Sequence, residues 1–228
     1  MGERYAYDAG GEEMLGYLVR PEAPNGAALL VIPAYAGLKA FEMGQCDRFA
    51  AMGYAVLGVD YYGKGWTTDD LDEAGEAMTA LQNDRETLLT RTKAALAELR
   101  PRGSKTGAMG FCFGGKAVLD LARAGELDAA VSMHGIYDKP PFATRAMPPV
   151  LLCHGWNDPM AKPDDFEAMA AELEANSPDW HALCFGQTGH AFTDPGRSKN
   201  DQGMGFVEPS ARRTWAAVEA FLAGTLLG

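Results

Sequence analysis

Short apolar segments alternate with longer helical ones along most of the chain, and this alternation is the feature that most constrains its fold. Six segments of three to five residues are apolar with little polar alternation, which is typical of strands buried on both faces of a sheet. They are Leu29–Ile32, Ala55–Val59, Gly107–Met109, Ala129–Ser132, Val150–Cys153 and Ala182–Phe185. Strands separated by helices form crossover units, so the sequence predicts an α/β protein with a doubly wound, mostly parallel sheet and helices on both faces.

The segments around these core strands complete the predicted architecture. Arg4–Tyr7 and Leu15–Val19 predict an antiparallel hairpin, since the turn-forming residues Asp8 to Gly11 separate them. Apolar spacing and terminal residues predict three helices, over Glu73–Leu99, Pro163–Ala175 and Pro209–Ala223. No repeat or linker divides the chain, so we expect one domain over residues 1–228, without a lid domain.

Charge, hydropathy and cysteine spacing exclude several classes of function. The 20 basic and 31 acidic residues give a net charge of −11, which would repel a nucleic acid. The longest apolar run, Ala27–Ala34, has eight residues, whereas a membrane-spanning helix needs about 20. The amino terminus has no apolar targeting segment and the cysteines form no C-x-x-C pair, so we expect a cytoplasmic protein without a metal cluster or disulfide scaffold. The four thiols are Cys46, Cys112, Cys153 and Cys184, of which the last two are predicted core residues.

One turn carries the residue types that nucleophilic catalysis needs. Gly110-Phe111-Cys112-Phe113-Gly114-Gly115 follows a core strand and precedes a helical stretch. A nucleophile on a sharp strand-to-helix turn needs a strained backbone and neighbours without side chains, which the glycines provide. The helix start also stabilises an anion through its free N–H groups and its dipole. The pattern favours Cys112 as a nucleophile, and a buried thiol beside a glycine-rich turn is the alternative.

Two later loops supply an acid and a base in the order that such a nucleophile requires. Asp158 follows the strand that ends at Cys153, and His190 follows the strand that ends at Phe185. The carboxyl ends of parallel strands meet at one edge of a sheet, so the three side chains should lie together. We therefore predict a Cys-His-Asp triad, in which His190 takes the thiol proton and Asp158 orients the imidazole.

Further residues are predicted to bind an oxyanion or to line a substrate pocket. The oxyanion should be held by the backbone N–H groups of Phe113, beside the nucleophile, and of Tyr35, in the loop after the first core strand. Lys64 is the charged residue predicted to bind substrate. The other predicted substrate contacts are Tyr61, Phe111, His134 and Phe192. Each has a structural alternative, because aromatic residues and histidines on loops also serve packing, and Lys64 could be a solvated loop residue.

Together these motifs resemble the dienelactone hydrolase family of α/β-hydrolases. The resemblance rests on the elbow with cysteine as nucleophile, on H-G-x-x-D at residues 154–158 and on G-H-x-F at residues 189–192, and it extends from about Tyr17 to Phe221. It implies the α/β-hydrolase fold and the hydrolysis of an enol-lactone or a related carboxylic ester. It also implies a thioacyl-enzyme intermediate and no cofactor.

Three positions depart from the family's pattern. A family glutamate that helps to control the thiol corresponds to Ala34, so the activation step should differ. Two family arginines that bind a substrate carboxylate correspond to Lys64 and Asp194. One ammonium and one acid cannot reproduce a pair of guanidinium groups. The sequence therefore predicts a neutral ester or a monoanion as the substrate.

Two other functions stay open at the level of sequence. The missing glutamate also suits a redox-sensing thiol protein on a hydrolase scaffold. The same fold supports thioesterases and peptidases, because a fold does not decide a substrate. For the hydrolase we expect a small-molecule ester or lactone as substrate, no nucleic acid or membrane as partner, and a monomer or weak homodimer.

Overall fold

A computed structural model describes residues 2–228 and contains an eight-stranded sheet. Its strands are β1 (Glu3–Asp8), β2 (Glu13–Val19), β3 (Ala27–Ile32), β4 (Ala55–Gly58), β5 (Lys105–Phe111), β6 (Ala129–Met133), β7 (Val150–Gly155) and β8 (Trp180–Phe185). They lie in the order β1-β2-β4-β3-β5-β6-β7-β8. β1 and β2 form the predicted antiparallel hairpin, β2 is antiparallel to β4, and the other neighbours are parallel. The predicted doubly wound sheet is confirmed.

Six helices cover the two faces of this sheet. They are α1 (Ala40–Ala51), α2 (Leu71–Asn83), α3 (Arg85–Leu99), α4 (Phe113–Arg123), α5 (Pro163–Asn176) and α6 (Glu208–Leu226). Buried residues of α1 and α6 belong to one apolar core, and buried residues of α2 to α5 belong to the other. Within residues 2–228, no helix is both long and apolar enough to cross a membrane.

The central strand β3 shows why its sequence has no polar alternation. Ala28, Leu30 and Ile32 belong to the core under α2 to α5, whereas the residues between them belong to the core under α1 and α6. All six residues of β3 are buried. A strand between two layers of helices must be apolar at every position, because successive side chains point to opposite faces.

Three predictions about these elements are wrong in detail. The predicted helix over Glu73–Leu99 is two helices, because the backbone leaves the helical region at Asp84 (φ −121°, ψ 68°). The Asp84 side chain accepts the Thr87 N–H and so starts α3 as an N-cap. β5 runs two residues further than predicted, so it reaches the residue before Cys112. Cys184 is exposed rather than in the core, since β8 is an edge strand with solvent beside it.

Candidate active site

Cys112 occupies a strained position between the end of β5 and the start of α4. Its φ of 55° and ψ of −117° are rare for a residue with a side chain. The neighbouring glycines make the turn possible. A Cβ on Gly110 would lie 2.3 Å from the carbonyl oxygen of Gly114, and a Cβ on Gly114 would lie 2.3 Å from the carbonyl oxygen of Ile32. The backbone at Gly114 therefore packs directly against the end of β3.

His190 and Asp158 form a buried pair beside this elbow. His190 Nδ1 lies 2.7 Å from Asp158 Oδ2, and both residues are at most 4% exposed. Asp158 Oδ1 accepts the backbone N–H of Met160, which fixes the carboxylate. Burial opposes a charge on the imidazole, but Cys112 and then Asp158 outweigh it and raise the pKa of His190 to about 10. His190 is therefore protonated at neutral pH, and its buried Nε2 makes no hydrogen bond within residues 2–228.

A second histidine, His134, connects the elbow to the His190 loop. Its Nδ1 lies 3.2 Å from the backbone nitrogen of Cys112, whose N–H also donates to the carbonyl oxygen of Met133. Its Nε2 lies 2.8 Å from the hydroxyl of Thr193, three residues after His190. Burial and then the charge of His190 hold the pKa of His134 well below its usual value. His134 is therefore neutral, with its proton on Nε2.

The two predicted oxyanion donors lie at the start of α4 and in the loop after β3. Phe113 is the first residue of α4, so no carbonyl of that helix is available to its N–H. Among the described residues, the N–H groups of Phe113 and Tyr35 donate to no protein acceptor. Both are therefore available to an anion.

Glu42 is a buried acid at this site that the sequence did not indicate. It is the third residue of α1, and its two carboxylate oxygens accept the N–H groups of Ala34 and Lys39 at 3.3 and 3.2 Å. Burial is the main cause that raises the pKa of Glu42 to about 7, and the neighbouring Asp194 adds to it. A glutamate at the third position of a helix is a common capping pattern, and this pattern could have located it once the start of α1 was known.

These residues line one cavity of about 430 Å³. Its walls include Cys112, His190, His134, Tyr35 and Glu42. The apolar part of the wall consists of Phe41, Leu71, Met78, Phe111, Met160 and Met204. Two of the five predicted substrate contacts, Phe111 and His134, thus lie in the wall, together with the cysteine and the histidine of the predicted triad.

The other three predicted substrate contacts lie elsewhere, which corrects the sequence interpretation. The Lys64 side chain is 75% exposed and lies near Glu12, with 3.7 Å between the charged groups, and its backbone has a positive φ. Tyr61 is buried behind the loop after β3, and Phe192 is buried against Phe185 and the ring of His134.

The arginine of the cavity wall comes from an unexpected position. Arg197 lies seven residues after His190, and its Nε is 3.6 Å from Asp194 Oδ2. Its guanidinium carbon also lies 6.0 Å from the centre of the Tyr35 ring. Arg197 and Thr193 could not be predicted as site residues from the sequence. Both belong to a loop whose path is set by contacts rather than by a local pattern.

Comparisons with known proteins agree with this fold. A family model described as the dienelactone hydrolase family matches residues 14–226. The solved structure named m3DLH is 28% identical, with a TM-score of 0.89, over 99% of this chain and 98% of that one. The structure of a dienelactone hydrolase-like promiscuous phosphotriesterase from metagenomic libraries is 29% identical, with a TM-score of 0.90 over the same shares of the two chains.

A curated bacterial relative leads to the same assignment. It is a protein of Salmonella typhimurium, provisionally named a carboxymethylenebutenolidase, which is 28% identical over 223 residues. The match covers 90% of this chain and 80% of the relative. Because the family model spans nearly all of the sheet and both later loops, the chain belongs to the dienelactone hydrolase family and is a carboxylic ester hydrolase with the α/β-hydrolase fold.

Proposed function

We propose that this enzyme hydrolyses small, neutral carboxylic esters or lactones through a thioacyl intermediate on Cys112, with His190 and Asp158 as its catalytic partners. The observation that carries the proposal is that His190, which pairs with the buried Asp158, lines one cavity with Cys112. An imidazole whose pKa is raised to about 10 keeps its proton at neutral pH and can stabilise a neighbouring thiolate.

The reaction needs only groups that line the cavity or lie directly beside those that do. The Cys112 thiolate attacks the carbonyl carbon, and the N–H groups of Phe113 and Tyr35 bind the oxyanion that forms. The C–O bond to the leaving group then breaks, and His190 gives its proton to the departing alkoxide. In the second half, neutral His190 takes a proton from water, the hydroxide attacks the thioester, and the Cys112 thiolate leaves. This returns the thiolate and the imidazolium, and Asp158 holds the ring throughout.

The charges around the cavity favour a neutral substrate over a dianion. The arginine of the wall, Arg197, already pairs with Asp194, and Lys64 lies outside the wall. Glu42 adds a carboxyl group whose pKa of about 7 leaves it partly ionised at neutral pH. A substrate carboxylate would therefore meet two acids, an arginine that already has a partner, and a His190 cation that the Cys112 thiolate and Asp158 already offset.

The volume of the cavity limits the size of the substrate. A volume of about 430 Å³ lies near the lower end of the range for small-molecule sites, which is roughly 300 to 1,000 Å³. Apolar side chains from α1, α2 and the loop after β7 form much of its wall. We propose that a short acyl chain or a lactone ring occupies this apolar part.

The test is hydrolysis of a neutral 4-nitrophenyl ester of a short acid by the wild type and by Cys112→Ala. We expect the variant to lose at least about 1,000-fold in kcat, because the nucleophile is absent. Cys184→Ala is the matched control, since it removes an exposed thiol on β8 and should keep the wild-type rate. Mass spectrometry of the quenched wild type should find one acyl group on Cys112.

A second ester tests the charge of the substrate. The 4-nitrophenyl monoester of a short dicarboxylic acid adds a carboxylate at similar size, and we expect it to have the lower kcat/KM.

Equal hydrolysis by wild type and Cys112→Ala would reject the thioacyl mechanism. Faster hydrolysis of the carboxylate ester would reject the neutral substrate while leaving the mechanism intact.

A further inference from the structure

Two tyrosine hydroxyls hold the loop that carries the proposed oxyanion donor Tyr35. The hydroxyl of Tyr61 lies 2.7 Å from the carbonyl oxygen of Ala34 and 3.2 Å from that of Pro33. The hydroxyl of Tyr62 lies 2.8 Å from the carbonyl oxygen of Tyr35. Three successive carbonyl groups of this loop therefore point toward the segment after β4.

The Tyr61 contact fixes the direction of the Tyr35 N–H. The peptide bonds of the described residues are trans, and in a trans peptide the C=O of one residue and the N–H of the next point in opposite directions. The shorter contact identifies Ala34 as the acceptor, since one hydroxyl donates a single proton. A bond that turns the Ala34 carbonyl toward Tyr61 therefore turns the Tyr35 N–H away from it.

The ring of Tyr61 also contacts the other oxyanion donor. It packs edge-on against the ring of Phe113, with 5.7 Å between the ring centres. The side chain of Tyr61 is almost fully buried, so its hydroxyl has no solvent alternative to the loop carbonyls. Burial also raises the pKa of Tyr61 well above its usual value, so the hydroxyl keeps its proton and stays a donor.

We propose that Tyr61 is a positioning residue of the oxyanion hole, which sets the direction of the Tyr35 N–H relative to the N–H of Phe113. This inference rests on the proposed thioacyl mechanism, because it assigns a role within the oxyanion hole of that mechanism. It replaces the expectation that Tyr61 contacts the substrate, since Tyr61 lies behind the loop rather than in the cavity wall.

The test is Tyr61→Phe, which removes one oxygen and keeps the ring against Phe113. Loss of an oxyanion donor costs about 100- to 1,000-fold in kcat, and a misdirected donor should cost less, about 10- to 100-fold. KM should stay within about twofold, because the ground-state carbonyl binds these N–H groups weakly. The matched control is Tyr7→Phe, whose hydroxyl is equally buried and donates to a backbone carbonyl, that of Asp60, at 2.8 Å.

Two further measurements separate positioning from a general loss of stability. Alkylation of Cys112 by iodoacetamide forms a C–S bond by displacement and develops no oxyanion, so Tyr61→Phe should keep the wild-type rate. The ratio of oxoester to thionoester hydrolysis does not depend on how much enzyme is folded. Sulfur is the poorer hydrogen-bond acceptor, so this ratio should fall in Tyr61→Phe and stay unchanged in Tyr7→Phe.

Three results would overturn the inference. The first is a kcat for Tyr61→Phe within twofold of the wild type. The second is an equal loss of kcat in Tyr7→Phe, which would identify packing as the cause. The third is an oxoester-to-thionoester ratio that does not change in Tyr61→Phe. Failure of the underlying mechanism is seen separately, as hydrolysis that survives Cys112→Ala.

Discussion

Two histidine-bearing segments meet in the same cavity and hold their imidazoles in opposite states. The loop after β8 carries His190 and the turn after β6 carries His134, and their ring centres are 5.1 Å apart. Both rings are nearly fully buried. Nevertheless, the pKa of His190 is raised to about 10, whereas the pKa of His134 is held well below its usual value.

The difference follows from the partners of each ring rather than from burial. Two negative groups favour a positive charge on His190: first the Cys112 thiolate, and then the Asp158 carboxylate on Nδ1. His134 accepts a backbone N–H on Nδ1 and faces a neutral hydroxyl on Nε2, so a second proton has no place and no counter-charge. The charged imidazole next to it adds repulsion. The partners of each buried ring therefore decide whether that ring is charged or neutral.

Glu42 extends the comparison to an acid in the same cavity. Its oxygens accept two backbone N–H groups, and within residues 2–228 no lysine, arginine or histidine forms an ion pair with it. Without a counter-charge, burial dominates and raises the pKa of Glu42 to about 7. The cavity thus combines a stable cation, a neutral imidazole and an acid that titrates near neutral pH.

Asp158→Asn should cause the largest effect, because it removes the carboxylate that orients His190 and helps to keep it charged, which His134 lacks. We expect kcat to fall by about 1,000- to 10,000-fold, as the amide neither stabilises the imidazolium nor selects the productive tautomer. The pKa of His190, followed by nitrogen NMR, should fall at the same time. Asp201→Asn is the matched control, since Asp201 is exposed in the loop that carries His190 and should leave both quantities unchanged. Wild-type activity in Asp158→Asn would contradict the role that the comparison gives to this carboxylate.

The elements of this comparison differ in how far the sequence could predict them. Cys112, Asp158 and His190 each follow a recognisable strand, and the parallel order of those strands brings their loops to one edge of the sheet. Local patterns and the order of strands were therefore sufficient to predict that these three residues lie at one edge of the sheet. The helix break at Asp84 could also have been predicted, because an aspartate at a helix N-cap, here accepting the Thr87 N–H, is a local sequence pattern.

The residues that tune the site could not be predicted in the same way. Glu42 and Thr193 acquire their partners only when α1 and the His190 loop fold against the sheet edge. Lys64 was assigned from its place after a strand, but its side chain direction depends on a backbone with positive φ. Direction and distance between separate loops are set by tertiary contacts, which a single sequence does not encode locally.

Glu42→Gln should have the second largest effect, on the pH dependence of stability. The unfolded glutamate loses its proton near pH 4.5 and the folded one near 7, so folding keeps a proton that the unfolded chain releases, and stability falls as the pH rises between these values. The variant should lack this fall, which amounts to about 2 to 3 kcal/mol between pH 5 and pH 8.

Urea unfolding of both proteins at pH 5 and pH 8 measures this difference. Subtracting the two pH changes removes the contributions of all other groups, which are common to both proteins. The exposed Glu167→Gln on α5 is the control and should behave as the wild type. If Glu42→Gln and the wild type lose the same stability toward pH 8, Glu42 has an unrecognised counter-charge.

Thr193→Val should have the smallest effect, because it removes a neutral partner from a neutral ring. The buried Nε2–H of His134 loses its acceptor, which should cost about 1 to 3 kcal/mol of unfolding free energy. The exposed Thr79→Val on α2 should cost much less. We expect kcat to fall only a few-fold and the pKa of His134 to stay low, since burial and the charge of His190 both remain. A loss of kcat as large as that of Asp158→Asn would mean that the link from Cys112 through His134 to the His190 loop controls catalysis as strongly as the carboxylate does.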